Sequence, residues 1–305
     1  MSKIAFIFPG QGSQYVGMGK EFYENFPEAK AVYEMAEKAT DIDVKKICFE
    51  ENDLINKTEY TQIAMFTTEA AILSVIAASG IKADMCAGLS LGEYGALAAA
   101  GVLSVSDLCT LVRKRGKFMQ DACPTGGAMT AVLGLDTDKV KEICDATEGI
   151  VTVANYNCPG QLVITGEEKA VATAAEALKE AGAKRCIPLN VSGPFHSAML
   201  MSAKENMEIE LAKCEFKNPI IPYYSNVEAT YVNEKAIIPG LLANQVVSSV
   251  CWMQSVEKMI ADGIDTFIEI GPGKTLTGFM GRINKEVRVF NVDKLADFEK
   301  LKEQL

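Results

Sequence analysis

Histidine is almost absent from this sequence. His196 is the only one in 305 residues, so any step that needs an imidazole has a single candidate. A disulfide framework is missing too. Nine cysteines (48, 86, 109, 123, 144, 158, 186, 214 and 251) are widely spaced, odd in number and never arranged as C-x-x-C. That pattern suits a reducing compartment and argues against both stapled loops and a zinc ribbon, and no metal site is expected. Basic excess is lacking: 30 Lys and Arg against 40 Asp and Glu leave a net charge of −10. A nucleic-acid binder carries the opposite footprint, although a local basic patch remains open. The opening MSKIAFIFPGQG holds one Lys and a short apolar run, too little for a signal peptide. The longer apolar stretches carry Glu or Ser, or are short and Ala-rich, so no membrane span is expected and the cytoplasm is the default location.

What is present is a globular composition, 49% hydrophobic and 23% charged. At about 150 residues per domain the length suggests roughly two domains, or one large domain with an insertion. A strand over residues 4–8 stops at Pro9 and Gly10. A helix over 63–78 ends at Gly80, followed by a strand (83–87), a tight turn and helices over 92–100 and 106–122. This alternation predicts an α/β core. From Gly126 the pattern changes to strand 128–133, helix 138–146, strands 151–156 and 161–165, helix 167–181 and strand 185–190. That β-α-β-β-α-β order is the split ferredoxin-like unit. It predicts a small subdomain over 126–190 inserted into a large one made of 1–125 and 191–305. The large part continues with helices over 199–213 and 246–261, a strand over 266–270, a Gly-Pro-Gly corner leading into a helix, and a last strand over 287–292.

Gly88-Leu89-Ser90-Leu91-Gly92 fits G-x-S-x-G between a strand and a helix. A sharp strand-to-helix turn needs small residues on both sides of the Ser, and it projects the hydroxyl above the helix N-terminus. The backbone N–H of Leu91 then faces the same point and can hold an oxyanion. A Gly-rich turn with a surface Ser is the plainer alternative. A nucleophilic Ser needs a base, and His196, in Ser192-Gly193-Pro194-Phe195-His196-Ser197, is the only imidazole. The helical sequence after it favours a neutral ring. No acid stands out between Ser90 and His196, so a Ser–His dyad is expected, with a backbone carbonyl or side-chain amide orienting the ring.

Within Arg113-Lys114-Arg115-Gly116-Lys117, helical phase separates the charges. Arg115 falls on the apolar stripe of Leu108, Leu111, Val112, Phe118 and Met119, whereas Arg113 and Lys117 point elsewhere. An inward Arg needs an anion. It either pairs with an internal Asp or Glu, or grips a carboxylate on an acyl substrate through its planar fork. The loop Gly10-Gln11-Gly12 fails as a dinucleotide fingerprint because Tyr15 holds the third glycine position. It can instead offer backbone N–H groups to an oxyanion. Gly271-Pro272-Gly273-Lys274 lacks P-loop spacing and reads as a strand–helix corner.

GQGSQ (10–14), GLSLGEY (88–94), the Arg115 helix, NYNCPGQ (155–161), GPFHS (193–197) and EIGPGKTLTGF (269–279) together resemble the malonyl-CoA:acyl carrier protein transacylases, acyltransferases of dissociated fatty-acid synthesis. The resemblance runs in matching order along nearly the whole chain. It implies an α/β-hydrolase-like large subdomain with an inserted ferredoxin-like one. It further implies ping-pong transfer through an acyl-Ser90, with His196 as base and no permanently bound cofactor beyond the CoA thioester substrate. Gln245 is implied to hold the histidine through its main-chain carbonyl, and the amides of Gln11 and Leu91 to form the oxyanion hole. Arg115 is implied to bind the malonyl carboxylate, with Asn155 and Asn157 near the mouth of the site. Leu89 departs from the family, where many members have His. Phe195 resembles the steric block to an α-methyl branch seen in malonyl-selective relatives. The acidic acyl carrier protein implied as partner needs a local basic surface, for which Arg113, Lys114, Lys117, Lys184, Arg185 and Lys274 are candidates. A serine hydrolase on the same turn, a non-catalytic nucleotide-binding or carrier-docking module, and a polyketide role for the same chemistry are the competing readings.

Overall fold

A computed structural model describes residues 2–191 and 193–305; Met1, and Ser192 at the head of the histidine loop, lie outside the described residues. Among the described residues ten strands form two sheets. In chain order they are β1 (Ile4–Phe8), β2 (Met85–Gly88), β3 (Gly127–Leu133), β4 (Val151–Cys158), β5 (Gln161–Glu167), β6 (Arg185–Pro188), β7 (Tyr223–Tyr224), β8 (Tyr231–Val232), β9 (Thr266–Ile270) and β10 (Arg288–Val292). The larger sheet runs β10-β9-β1-β2-β7-β8 and is parallel except for β8.

Both faces of this sheet are covered, as parallel strands require. In β1 the side chains alternate with period two. Phe6 and Phe8 join the core beneath the helices Thr58–Ala78 and Val105–Ala122, while Ala5 and Ile7 join a second core with Trp252, Met259 and Met280. The helix Thr58–Ala78 is long and apolar enough to cross a membrane, yet 78% of its apolar window is buried inside the protein.

The smaller sheet is antiparallel, in the order β4-β5-β3-β6, and is built wholly from residues between Gly127 and Pro188. One face packs Val132, Val153, Leu162 and Ile164 against helices Thr137–Ala146 and Glu168–Glu180. The other contributes Met129, Ala154 and Val163 to the large core. The edge strand β4 is tied to the large part of the chain where Asn155 bridges Val250, with Tyr156 N–H donating to the Val250 carbonyl at 3.0 Å and Val250 N–H to that of Ala154 at 2.8 Å.

Those bonds correct one expectation. Residues 246–261 are not one helix: Ile238–Gln245 and Trp252–Ala261 are separate, because the backbone of Val250 pairs with β4. The long central helix starts at Thr58, five residues before its apolar periodicity does, because its first turns bury Thr58, Thr61 and Gln62. Helices Lys20–Asn25, Pro27–Thr40 and Val44–Phe49, and the short strand β7 that widens the sheet, were not anticipated by the periodicity.

Candidate active site

Ser90 stands where β2 turns into helix Gly92–Ala99, with φ at +54°. The turn demands both flanking glycines. A Cβ on Gly88 would sit 1.9 Å from the carbonyl of Gly92, and one on Gly92 would sit 2.1 Å from the Phe8 carbonyl oxygen. The left-handed backbone costs about 1–3 kcal/mol and is held from outside. Ser90 N–H donates to Asn226 Oδ1 at 2.6 Å, and Gln245 Nε2 donates to the Ser90 carbonyl at 2.9 Å.

His196 also has a positive φ, +63°, and is almost fully buried. Its Nε2 lies 2.7 Å from Ser90 Oγ and its Nδ1 2.8 Å from the Gln245 carbonyl oxygen. A carbonyl only accepts, so Nδ1 carries the proton and Nε2 faces Ser90 with a free lone pair. The ring's affinity for a second proton is held down, from 6.5 to about 4, first by burial and then by the nearby Arg115 cation. A neutral ring was anticipated from a following helix N-terminus. The chain instead enters a 3-10 turn at Ala198–Leu200, and burial is the dominant cause.

Arg115 is wholly buried. Nη1 donates to Gln62 Oε1 at 2.7 Å, and Nη2 donates to Gln245 Oε1 at 2.8 Å and to Ser90 Oγ at 3.3 Å, while the guanidinium sits 5.5 Å from the centre of the Tyr94 ring. Among the described residues no carboxylate lies within 4.0 Å of it, so the internal ion pair is not the arrangement found. Its neighbours on the helix do pair: Arg113 with Glu59 at 3.0 Å, Lys114 with Glu210 at 2.6 Å and Lys117 with Asp121 at 2.7 Å.

These groups open onto one cavity of about 340 Å³ between the two sheets. Gln11, Leu89, Leu91 and Phe279 line it from the large part, Met129, Asn155, Asn157 and Val163 from the smaller sheet, and Phe195 beside the histidine. It lies past the carboxyl ends of β1 and β2, the usual place for a ligand in a parallel sheet. Neither Gln11 N–H nor Leu91 N–H meets an acceptor among the described residues. The structure thus brings together all nine anticipated residues: Ser90, His196, Gln245, Gln11, Leu91, Arg115, Phe195, Asn155 and Asn157.

Three further polar residues were missed: Gln62, Glu93 and Asn226, all buried. Glu93 stands inside the quoted GLSLGEY segment, and a carboxylate so close to a nucleophile turn was the one available signal. Gln62 and Asn226 carry no local mark.

The family model for the acyl transferase domain matches residues 5–296. The chain belongs to the acyl transferase family. The malonyl CoA-acyl carrier protein transacylase of Bacillus subtilis (strain 168) is 47% identical over 297 residues, covering 96% of this chain and 94% of that one. The crystal structure of the transacylase of the same name from Clostridium perfringens ATCC 13124 superposes with a TM-score of 0.96 at 46% identity, over 99% of this chain and 97% of that one. A malonyl-transacylase in complex with a type II PKS acyl-carrier protein gives a TM-score of 0.97 at 36% identity, with all of both chains covered. This acyl transferase therefore shares their α/β architecture, a large parallel-sheet core with a small ferredoxin-like subdomain.

Proposed function

We propose that this acyl transferase moves a malonyl group from malonyl-CoA to the phosphopantetheine thiol of acyl carrier protein, for fatty-acid synthesis. The observation that carries the reading is Arg115: a fully buried guanidinium, free of any carboxylate partner among the described residues, reaching the same Ser90 hydroxyl that bonds His196. A buried cation with no carboxylate in contact is costly, and Glu93 acts on Arg115 only through space, from the far side of the Gln245 amide. A carboxylate on the acyl group supplies that charge in the planar fork geometry guanidinium favours.

The reaction runs in two halves. Ser90 Oγ attacks the thioester carbonyl as its proton passes to His196 Nε2. The resulting oxyanion rests on the amides of Gln11 and Leu91, each such donor worth about 2.7–4 kcal/mol. Collapse breaks the C–S bond, and His196 returns the proton to the departing CoA thiolate. The carrier thiol then enters, gives its proton to His196 and attacks the malonyl-Ser90 ester, and Ser90 recovers the proton as the ester breaks. One thioester replaces another, so little driving force is needed. The demand is to hold the acyl group away from water, which Arg115 meets by anchoring its far end. Gln245 orients the histidine through its carbonyl, Asn155 and Asn157 border the acyl cavity, and Phe195 narrows it. No resident cofactor is needed by these steps.

All nine cysteines are unpaired, which supports a cytoplasmic location. The likeness to a transacylase bound to a type II PKS carrier favours a second reading, the same chemistry on a polyketide carrier. Transfer from malonyl-enzyme to each kind of carrier protein separates the two. Malonyl-CoA turnover that yields free malonate, with no transfer to a carrier thiol, would instead mark a hydrolase.

A further inference from the structure

Beneath the nucleophile lies a buried carboxylate that the transfer steps do not use. Glu93, one helical turn past Ser90, is fully buried. Its Oε2 accepts from Gln245 Nε2 at 2.6 Å and from Asn226 N–H at 3.3 Å, and Oε1 has no partner among the described residues. Burial pushes the carboxyl up to about 7, yet Oε2 remains an acceptor whether or not Oε1 carries a proton.

The chemistry of the neighbours leaves the Gln245 amide one orientation. A guanidinium only donates, and Glu93 Oε2 accepts. The amide oxygen must therefore face Arg115, at 2.8 Å, and the nitrogen must face Glu93. The same residue's main-chain carbonyl holds His196 Nδ1 at 2.8 Å. Asn226 is used in a parallel way. Its Nδ2 donates to the Gly88 carbonyl and its Oδ1 accepts from Ser90 N–H, both at 2.6 Å, so it bridges the strained turn.

We propose that Glu93 is a positioning residue for acyl transfer, fixing Gln245 and Asn226 and through them aligning the base, the carboxylate-binding arginine and the nucleophile together. This rests on the roles given above to Ser90, His196 and Arg115. Glu93 touches none of the reacting atoms.

Glu93→Met keeps the side-chain length and removes both acceptors, leaving the Asn226 N–H and one Gln245 N–H without their partner, so the thermal midpoint is read beside the kinetics. Glu93→Gln keeps one acceptor oxygen. Both variants and the wild type are compared by circular dichroism, thermal midpoint and acylation kinetics with malonyl-CoA and with uncharged acetyl-CoA. The expected result is a folded Glu93→Met with malonyl kcat/KM down about 100-fold, the scale of an ångström-level misplacement. Its kcat falls, and its preference for malonyl over acetyl shrinks as Arg115 loses its fixed partner. Glu93→Gln recovers to within about tenfold of wild type.

A folded Glu93→Met within about twofold of wild type, or a Glu93→Gln no better than Glu93→Met, overturns the proposal. Should Glu93→Met fail to fold, Glu93→Asp decides, because it keeps the carboxylate but withdraws it from Gln245: a lowered kcat with a weakened malonyl preference supports the alignment role, and wild-type values overturn it. Wild type that forms no malonyl-serine sinks the underlying function, which is a separate outcome.

Discussion

Arg115 Nη2 points at Ser90 Oγ from 3.3 Å, so the cation and the hydroxyl address the same small volume. On the proposed reading, an acyl group esterified to Ser90 would carry its carboxylate to that guanidinium. On that reading, replacing Arg115 with Ala would remove a bidentate, charge-assisted contact of about 3 kcal/mol. Malonyl kcat/KM should fall about 100-fold or more, while acetyl-CoA gains relative to malonyl-CoA. Arg115→Lys should recover only part of the loss, because a point charge cannot replace the fork. Competition between the two thioesters checks this, and a malonyl preference that survives Arg115→Ala removes the assignment.

The proposed base is neutral at working pH. With His196 held at about 4, acylation should be flat from about pH 5.5 upward as far as this group is concerned, and should fall roughly tenfold per pH unit below 4. The sign for stability follows from the same depression. Between pH 6.5 and 4 the unfolded chain takes up a proton that the folded chain refuses, so stability drops as pH falls through that window. The loss approaches about 3 kcal/mol near pH 4. Urea midpoints of wild type and His196→Gln at pH 7 and pH 4.5 test it: the variant should lose less on acidification, and equal losses would contradict the burial argument.

Phe195 is nearly buried and lines the cavity next to the histidine. On the proposed reading, a methyl branch on the carbon between the malonyl carbonyls would enter that space. Malonyl-CoA should be preferred over methylmalonyl-CoA by about 10-fold or more, and Phe195→Ala should narrow the gap. The ratio of kcat/KM for the two thioesters measures it, and equal values in wild type would exclude the steric role.

Much of this was legible in the residues because local rules and tertiary demands agree there. The alternation of Phe6 and Phe8 against Ala5 and Ile7 marks a strand covered on both faces. Glycines at 88 and 92 mark the turn that exposes Ser90, since any Cβ at either position meets backbone. Arg115 stood out because it breaks an apolar stripe, and it is the buried member of its basic run.

The remainder depends on pairings far apart in sequence. Asn226 braces Ser90 across 136 residues, and Gln62 bonds Arg115 across 53, so neither leaves a local pattern. Residues 246–250 read as helix because Val and Ser runs are ambiguous, and their pairing with β4 became visible only in three dimensions. The site is assembled at this contact, since Gln245 lies immediately before the segment that clasps Asn155.

Transfer through Ser90 is read most plainly from the intact mass of the protein after brief exposure to malonyl-CoA, followed by addition of a phosphopantetheinylated carrier protein. The expected result is one malonyl adduct on Ser90, absent in Ser90→Ala, that disappears as malonyl-carrier protein forms. An adduct that persists in Ser90→Ala, or a malonyl-serine that yields only free malonate when the carrier arrives, would contradict it.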